Sequence, residues 1–565
     1  MKKKAILIPL FTSLATIGLV ACGETETDTP DPVVDPIIDP IGGGGSTEEE
    51  DDTIDWAAEK LGDKAIDPTN DNARVYYEIM PISFADSNGD GNGDFQGIIN
   101  RLDYLNDGDV NSGKSLGIQG IWLTPIHPSP SYHKYDVNDY YKVDSTFGTM
   151  DDYVNLLYAC HERNVNVLMD LVINHTSKYH NWYSKFVKAH QDNNVDDPYY
   201  DFYSYVERGE QESGKYYTPI PNTTQVVECN FGDSMPELNY DNDAVYDEML
   251  NVAKFWMDKG VDGFRFDAAK YIYYNDVDRT CAFWDKYIAD IKEYGLTLGK
   301  DIFTVAEVYD SSLSNLAPYN TSVNTFDFGC AQTTGTIYES VKNGNAGIFT
   351  NHALSYINTV KEKNPERMFV PFFSNHDMDR SAGYFLLKAQ SKMAANLYLL
   401  SPGAPFIYYG EEIGIKGSRA AGVQTDADRR VHMRWGDYND IHDECNDPVG
   451  TTYEEKKQTN GTVASQINSK SSLLTHYRHL IQIRTKYPAI RLGNYTALSS
   501  SNAIGFNIEY NGETIGILHN CTDKDIIVDL STIGFTKLLE FVGANKATIS
   551  GTKVTIQAKT SIIIR

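Results

Sequence analysis

Short apolar runs alternate with segments of helical periodicity from about Ala73 onward, and this alternation constrains the fold more than any other feature of the sequence. Strands that alternate with helices predict parallel pairing, and eight such units predict a closed (β/α)8 barrel, a TIM barrel of the α/β class. The eight runs that we interpret as barrel strands lie at residues 75–81, 118–124, 165–172, 263–267, 302–307, 323–328, 368–373 and 405–408.

Two departures from this pattern predict additional domains. A long stretch rich in Tyr and Asp separates the third strand from the fourth and predicts a small inserted domain. Beyond residue 487 the sequence changes to short β-type runs, which predict a separate C-terminal β-sandwich. The predicted boundaries are 73–175 and 245–486 for the barrel, 176–244 for the inserted domain and 487–565 for the sandwich.

The N-terminus is typical of a targeting segment. Lysines at positions 2–4 precede an apolar stretch, and a small residue stands just before Cys22. This pattern resembles a bacterial lipoprotein signal, so we expect a signal peptide at 1–22, an acylated Cys22 and an exported protein held at the bacterial cell surface or membrane by its lipid. A plain secretory signal or a short membrane helix is the alternative. Residues 23–72 are acidic and rich in Pro and Gly, which predicts a disordered linker.

Net charge restricts the partners of the chain. The formal charge of −29 repels nucleic acid and anionic lipid head groups, so a neutral substrate or a cation fits better. We expect a monomer that binds no nucleic acid and meets the membrane only through its lipid anchor. Six of the seven cysteines lie beyond Cys22 without metal-type spacing, and the sequence identifies no disulfide pairs among them.

The strand at 263–267 is the strongest candidate for the centre of a reactive site. Successive side chains of a strand point to opposite faces, so Arg265 and Asp267 share one face while Phe264 and Phe266 share the other. An arginine two residues from an aspartate can hold that carboxylate ionised and oriented, as a nucleophile requires.

Charged and polar residues also stand at the carboxyl ends of other predicted strands, where (β/α)8 barrels carry their active sites. The third strand ends in Asn174 and His175, the fifth in Glu307, and the seventh in His376 and Asp377. Together with the fourth strand, these ends bring three carboxylates and two histidines toward one pocket. Any one such carboxylate is more often a cap or an ion-pair partner, but the ordered set predicts a catalytic site.

An acidic loop follows the first strand. Oxygen-bearing residues occupy every second position and glycines between them allow tight curvature, a pattern that can wrap a hard cation. The loop begins like an EF-hand, but Gly97 stands where an EF-hand has glutamate. A solvated turn is the plain alternative. The five candidate ligands are Asp86, Asn88, Asp90, Asn92 and Asp94.

The ordered strand ends resemble the sequence signatures of glycoside hydrolase family 13, the α-amylase family, over about residues 74–565. Residues 120–125 and the Tyr135-Asp136 pair also agree with that family. Residues 235–239 read Met-Pro-Glu-Leu-Asn, which is similar to the signature of members intermediate between oligo-1,6-glucosidases and neopullulanases. Glu237 stands where that signature has aspartate.

The resemblance implies a role for each site residue. Asp267 corresponds to the nucleophile, Glu307 to the general acid/base and Asp377 to the carboxylate that stabilises the transition state. Such a pair of carboxyl groups supports retention through a covalent glycosyl-enzyme. His175 and His376 correspond to histidines that hydrogen-bond sugar hydroxyls.

Further substrate contacts follow from the same resemblance. Tyr135 corresponds to the aromatic residue that stacks on the sugar at the cleavage point. Lys270 corresponds to a lysine that contacts sugars on the leaving-group side, although a solvated lysine is the plain alternative. Tyr271 replaces the histidine that many α-amylases carry at that position. We expect Arg265 to keep Asp267 charged, and the neighbouring negative charges to raise the pKa of Glu307.

The acidic loop resembles the calcium loop after the first barrel strand of oligo-1,6-glucosidase-like members, so Ca²⁺ is the expected cofactor. By that likeness Asn92 binds through its carbonyl and the other four residues bind through their side chains. A second calcium near Asn174 stays open.

The function implied is an α-amylase of the lipoprotein type, a retaining hydrolase that cleaves α-1,4 bonds of starch and malto-oligosaccharides. Neopullulanase, oligo-1,6-glucosidase and 4-α-glucanotransferase are alternatives within the family, and a non-catalytic glucan-binding lipoprotein is the alternative outside catalysis. The choice between internal and terminal cleavage stays open.

Overall fold

The computed structural model describes residues 72–421 and 424–565. The predicted signal peptide, Cys22 and nearly all of the predicted linker lie outside these ranges. In the described part of the chain, no helix has both the length and the apolar character needed to cross a membrane.

Strands alternate with helices from residue 76 to residue 408, irregular chain and helices follow up to residue 493, and the chain from residue 494 onward is mostly strand. The strands are β1 (Tyr76–Ile79), β2 (Gly120–Leu123), β3 (Asn166–Leu171), β4 (Tyr205–Glu207), β5 (Tyr217–Pro219), β6 (Gln225–Glu228), β7 (Gly263–Phe266), β8 (Phe303–Ala306), β9 (Asn324–Thr325), β10 (Phe406–Tyr408), β11 (Asn494–Ser500), β12 (Ala503–Tyr510), β13 (Glu513–Asn520), β14 (Ile526–Asp529), β15 (Leu538–Gly543), β16 (Ala547–Ser550), β17 (Lys553–Ile556) and β18 (Thr560–Ile564). The α-helices are α1 (Phe95–Asn100), α2 (Leu102–Leu105), α3 (Met150–His161), α4 (Asn181–Gln191), α5 (Asp243–Lys259), α6 (Val277–Thr297), α7 (Leu313–Leu316), α8 (Thr336–Asn343), α9 (Gly347–Lys363), α10 (Lys388–Leu399), α11 (Val463–Gln466), α12 (Leu473–Lys486) and α13 (Ala489–Leu492).

Seven strands form one parallel sheet in the order β10-β1-β2-β3-β7-β8-β9. The predicted seventh barrel strand, at 368–373, is not a regular strand and makes only two parallel bridges, Pro371 to Asp327 and Phe372 to Phe406. Proline has no N–H to give to the ladder, which limits pairing at this point. The bridges nevertheless join the segment to its neighbours on both sides and close the ring. The predicted (β/α)8 class is confirmed, with one strand reduced to bridges.

Aromatic side chains fill the inside of the ring. Tyr76 stacks on Phe303 at 5.1 Å and on Phe406 at 4.8 Å between ring centroids. Trp122 and Phe326 belong to the same buried cluster. Because these rings occupy the axis, the interior is a packed core, and the site must lie at the strand ends above it.

Two antiparallel regions accompany the barrel. Between β3 and β7, a three-stranded sheet in the order β4-β6-β5 follows α4. At the C-terminus, a five-stranded sheet (β11-β12-β13-β18-β15) faces a three-stranded sheet (β14-β17-β16) across an apolar core that includes Leu518, Val528 and Ile562. Two sheets with a shared apolar core form the predicted β-sandwich.

Candidate active site

The side chains of β7 divide as the sequence predicts. Phe266 points toward the helices and packs on Trp284 at 4.9 Å between ring centroids, while Arg265 points into the ring. Asp267 follows the strand directly, and its N–H donates to the Leu171 carbonyl of β3. Glu307 follows β8 in the same way, with its N–H on the Phe266 carbonyl at 2.9 Å. Neighbouring parallel strands therefore deliver both carboxyl groups to one edge.

Arg265 contacts three carboxyl groups of the site. Its Nη1 donates to both carboxylate oxygens of Asp170, at 2.8 and 2.9 Å, and to Asp267 Oδ1 at 2.8 Å. Its Nη2 lies 3.1 Å from Glu307 Oε2. The guanidinium is buried over the Trp122 ring, 5.0 Å from the ring centroid. One cation thus contacts three carboxyl groups. The sequence places Asp170 near the end of the third strand but assigns it no role in the site.

The two central carboxyl groups both hold their protons more tightly than in water. Burial, together with the charges of Asp170 and Asp377, raises the pKa of Asp267 to about 6, although Arg265 acts to lower it. Burial, together with the charges of Asp267 and Asp377, likewise raises the pKa of Glu307 to about 7 against the opposing effect of Arg265. Arg265 lowers the pKa of Asp267 but does not outweigh burial, and with a pKa of about 6 most of the Asp267 population is charged at neutral pH. Burial, more than the expected negative neighbours, raises the pKa of Glu307.

Asp377 has the opposite electrostatic environment. Burial alone would raise the pKa of Asp377, but His376, Arg430 and Arg265 hold it well below the ordinary range. Arg430 Nη2 donates to its Oδ1 at 2.7 Å, and His376 Nε2 lies 3.1 Å from its Oδ2. Asp377 is therefore a fixed anion, and Arg430, which lies in the long insertion after β10, is a site residue that the sequence did not reveal.

His376 is held as a cation by carboxylates on two sides. Its Nδ1 lies 2.6 Å from Glu78 Oε1 of β1. Burial lowers the pKa of His376, but Asp377 and Glu78 together raise it to about 10. Tyr135 stacks on the imidazole at 5.4 Å between centroids, and its hydroxyl lies 2.7 Å from Nε2 and donates to Asp170 at 3.0 Å. Tyr135 therefore belongs to the carboxylate cluster.

His175 offers an unused polar atom. Burial lowers the pKa of His175 to about 4, so the ring is neutral at pH 7. Its Nε2 is buried and has no hydrogen-bond partner within the described residues. An orphaned polar nitrogen beside an active site is where a hydroxyl of a ligand fits.

Lys270 lies outside the carboxylate cluster, on a turn beyond Asp267, and its Nζ donates to the Tyr309 carbonyl at 2.9 Å. Around this turn Phe231 packs on Tyr271 at 4.9 Å between ring centroids and keeps 39% of its surface exposed. Tyr309 keeps 49% exposed. Exposed aromatic rings near the general-acid candidate are surfaces on which sugar rings can stack.

The acidic loop after β1 has the chemistry of a calcium site. Asp86 accepts backbone N–H bonds from Asn88, Gly89 and Gly91, and Asp94 accepts bonds from Ser87. Both carboxylates are buried, and the described residues provide neither with an ion-pair partner. A curled loop of oxygen donors that carries two uncompensated buried charges fits a hard cation.

Comparison with known proteins identifies the family. Residues 78–493 match the family description "Alpha amylase, catalytic domain". The chain belongs to the α-amylase family. As a member of glycoside hydrolase family 13 it is a glycoside hydrolase, which confirms the family implied by the strand-end residues.

Relatives within the α-amylase family carry several names. "Alpha-amylase 3" of Dictyoglomus thermophilum is 34% identical over 464 residues, which cover 79% of this chain and 84% of the relative. "Oligo-1,6-glucosidase" of Bacillus cereus is 28% identical over 535 residues, 81% of this chain and 91% of the relative. The solved structure "Eubacterium rectale Amy13B" superposes with a TM-score of 0.79 at 32% identity and covers 87% of this chain and 95% of its own.

Proposed function

We propose that the protein hydrolyses α-1,4-glucosidic bonds of starch and malto-oligosaccharides with retention of configuration. The observation that carries this proposal is that Asp267 and Glu307 contact the same Arg265 guanidinium, at 2.8 and 3.1 Å. Two carboxyl groups on one guanidinium are compatible with the separation of about 5–5.5 Å that retaining glycosidases use.

Each of these groups has its own role in the proposed reaction. Glu307 gives its proton to the glycosidic oxygen as Asp267 attacks the anomeric carbon, which forms a glycosyl-enzyme ester and releases the reducing-end part of the chain. Glu307, now ionised, then takes a proton from water, and that water cleaves the ester and restores both groups. Asp377 is a permanent anion and favours the positive charge that develops on the sugar. His175 Nε2 forms a hydrogen bond with a hydroxyl group of the sugar, and the Tyr135 ring stacks on the sugar ring.

The sibling activities use the same carboxylates. The Bacillus cereus relative named oligo-1,6-glucosidase makes α-1,6 cleavage the first alternative, and neopullulanase and 4-α-glucanotransferase activities follow. The pKa values of Asp267 and Glu307, which are raised to about 6 and 7, argue against a protein that only binds sugar. A sugar-binding surface does not need an acid and a base with shifted pKa values.

Product analysis separates these functions. The full chain is incubated with soluble starch, pullulan and an end-blocked maltoheptaoside, with Asp267→Asn as the matched inactive control. We expect starch chains to shorten rapidly, the blocked substrate to be cut, and the control to lose activity by a factor of roughly 10⁴ or more, since the nucleophile is gone. Release of glucose or panose alone, or lengthened oligosaccharides, would move the assignment to a sibling. Retained binding without any cleavage would disprove hydrolysis.

We also propose that Ca²⁺ occupies the loop of Asp86, Asn88, Asp90, Asn92 and Asp94 as a structural ion. The ion would neutralise two buried carboxylates and take no part in the reaction.

The N-terminal signal supports a lipid anchor on Cys22 and export to the cell surface or membrane. We expect labelled fatty acid to be incorporated into the parent protein and not into Cys22→Ala. Equal labelling of both forms would contradict the anchor.

A further inference from the structure

Three potential metal ligands of different chemistry meet beside the sixth barrel strand. Asp327 and Cys330 lie in the turn after β9, and His352 lies in α9. Cys330 Sγ donates to Asp327 Oδ2 at 3.0 Å, and His352 Nε2 lies 2.6 Å from the same oxygen. Within residues 72–421 and 424–565, this is the one group of three His, Cys, Asp or Glu residues with ligand atoms all within 4.8 Å of one another.

The cluster faces the helices and not the inside of the ring. Phe326 and Phe328 belong to the core inside the ring, so Asp327 between them points outward to the helices. Asp327 and Cys330 are fully buried, whereas the His352 side chain keeps 19% of its surface exposed. One edge of the cluster is therefore open to solvent.

Gly329 in this turn leaves space for the imidazole of His352. A Cβ atom on Gly329 would stand 2.8 Å from His352 Cε1, so only glycine lets the ring approach this closely. The Gly329 N–H donates to Asp327 Oδ1 at 2.9 Å, which leaves Oδ2 facing the thiol and the imidazole. The Thr336 hydroxyl lies 3.8 Å from Cys330 Sγ. These contacts hold the thiol and the imidazole together at one oxygen of the Asp327 carboxylate.

We propose that Asp327 Oδ2, Cys330 Sγ and His352 Nε2 bind a thiophilic divalent cation of the Zn²⁺ type. A carboxylate, a thiolate and an imidazole form the mixed O, S and N set that zinc accepts, with water from the open edge as the fourth ligand. Binding releases the thiol proton to solvent, and the proton on His352 Nε2 passes to Nδ1, or to solvent when the imidazole is already a cation. The cation then replaces the two hydrogen bonds to Oδ2. The ligand atoms then separate to about 3.3–3.5 Å, the spacing set by Zn–ligand bonds of about 2.0–2.3 Å in a tetrahedron.

A bound cation would tie α9 to the strand that bridges Pro371, six residues before Asp377. It would act on stability and not on the reaction. Without a cation, the same three side chains form a hydrogen-bonded group around one carboxylate, and this plain alternative predicts no metal affinity. Metal binding therefore separates the two explanations.

The test measures Co²⁺ and Zn²⁺ binding to the full chain, with thiols reduced by a phosphine and Ca²⁺ in excess to fill oxygen sites. We expect about one Zn²⁺ per chain after dialysis, a thiolate-to-cobalt charge-transfer absorption, and a higher Tm with Zn²⁺. Cys330→Ser and His352→Gln should weaken Zn²⁺ affinity by a factor of roughly 100 or more, since even an outer partner of a metal ligand costs 10–100-fold.

Cys281→Ser is the matched control, because Cys281 is a free, partly exposed thiol outside the cluster and should leave binding unchanged. Unchanged starch hydrolysis in each variant shows that it has folded, and His352→Gln retains a donor for Asp327. The proposal would be overturned if the folded parent retains no metal, or if Cys330→Ser binds metal as tightly as the parent. It would also be overturned if Cys281→Ser loses binding.

Discussion

The arrangement of charge around single residues decides what each carboxyl group of the site can do. Asp267 and Glu307 share one guanidinium with Asp170, and because that one positive charge is divided, burial raises both pKa values. Asp377 instead contacts His376 and Arg430 and stays ionised. Carboxyl groups at one edge of a barrel thus acquire the different protonation states that acid–base catalysis needs.

These pKa values predict the pH dependence of the reaction. Attack needs ionised Asp267, so kcat/KM should rise as pH increases through about 6. Protonation of the leaving oxygen needs neutral Glu307, so kcat/KM should fall as pH increases through about 7. A chromogenic maltoside at constant ionic strength provides the measurement. A kcat/KM that stays constant from pH 5 to pH 9 would contradict both assignments.

Among single elements, the loop between β1 and α1 is the one for which we propose an ion that the polypeptide does not supply. Asp94 caps α1 by accepting from the Gly97 N–H at 2.7 Å, and Asp86 holds the loop's own N–H groups. Gly89 and Gly91 have φ of 80° and 90°, so the loop can curl as it does only because glycine tolerates these angles. Both carboxylates accept hydrogen bonds from the loop, but neither has an ion-pair partner among the described residues.

Removal of calcium should therefore destabilise the protein. A ligand at 100 times its Kd contributes about 2.7 kcal/mol, so chelation by EDTA should lower Tm by several degrees. Asp86→Asn should lower Tm in calcium and lose most of its response to EDTA. Asp109→Asn, in the acidic turn before Lys114, should respond to EDTA as the parent does. Equal responses of parent and Asp86→Asn would disprove calcium in this loop.

At the scale of the whole molecule, the barrel and the C-terminal sandwich share their largest apolar core. Phe506, Ile517 and Val542 of the sandwich belong to the same buried cluster as Met393 and Leu397 of α10. A common core of this kind predicts that the two domains unfold together.

Asn396 of α10 tests that coupling. Its Nδ2 donates to the Val542 carbonyl at 2.9 Å and to Ser561 Oγ at 2.8 Å, across a fully buried contact. Asn396→Ala should reduce the free energy of unfolding by about 1–3 kcal/mol, because buried acceptors lose their donor. Calorimetry should show one transition at lower Tm. Asn343→Ala, exposed in α8, should leave Tm within about a degree. Two separated transitions would contradict a shared core.

The sequence by itself determined the repeating architecture and most of the side chains that meet in the candidate site. Periodicity is a local property, so the alternation of β7 placed Arg265 and Asp267 on one face, and the strand ends indicated Glu307, His376 and Asp377. The barrel, the presence of an inserted domain and the sandwich followed from the same patterns. The weakest barrel prediction was the segment at 368–373, where Pro371 limits pairing to two bridges.

Only the tertiary structure decided which distant residues complete the site. Glu78 contacts His376 from 298 residues away, and Arg430 reaches Asp377 from 53 residues away across an irregular insertion. Asp327 and His352 likewise meet only when α9 packs on the sheet. Such pairs leave no periodic trace in the chain, because their geometry arises from packing between elements. The pKa values follow the same rule, since burial, their largest cause, exists only in the folded molecule.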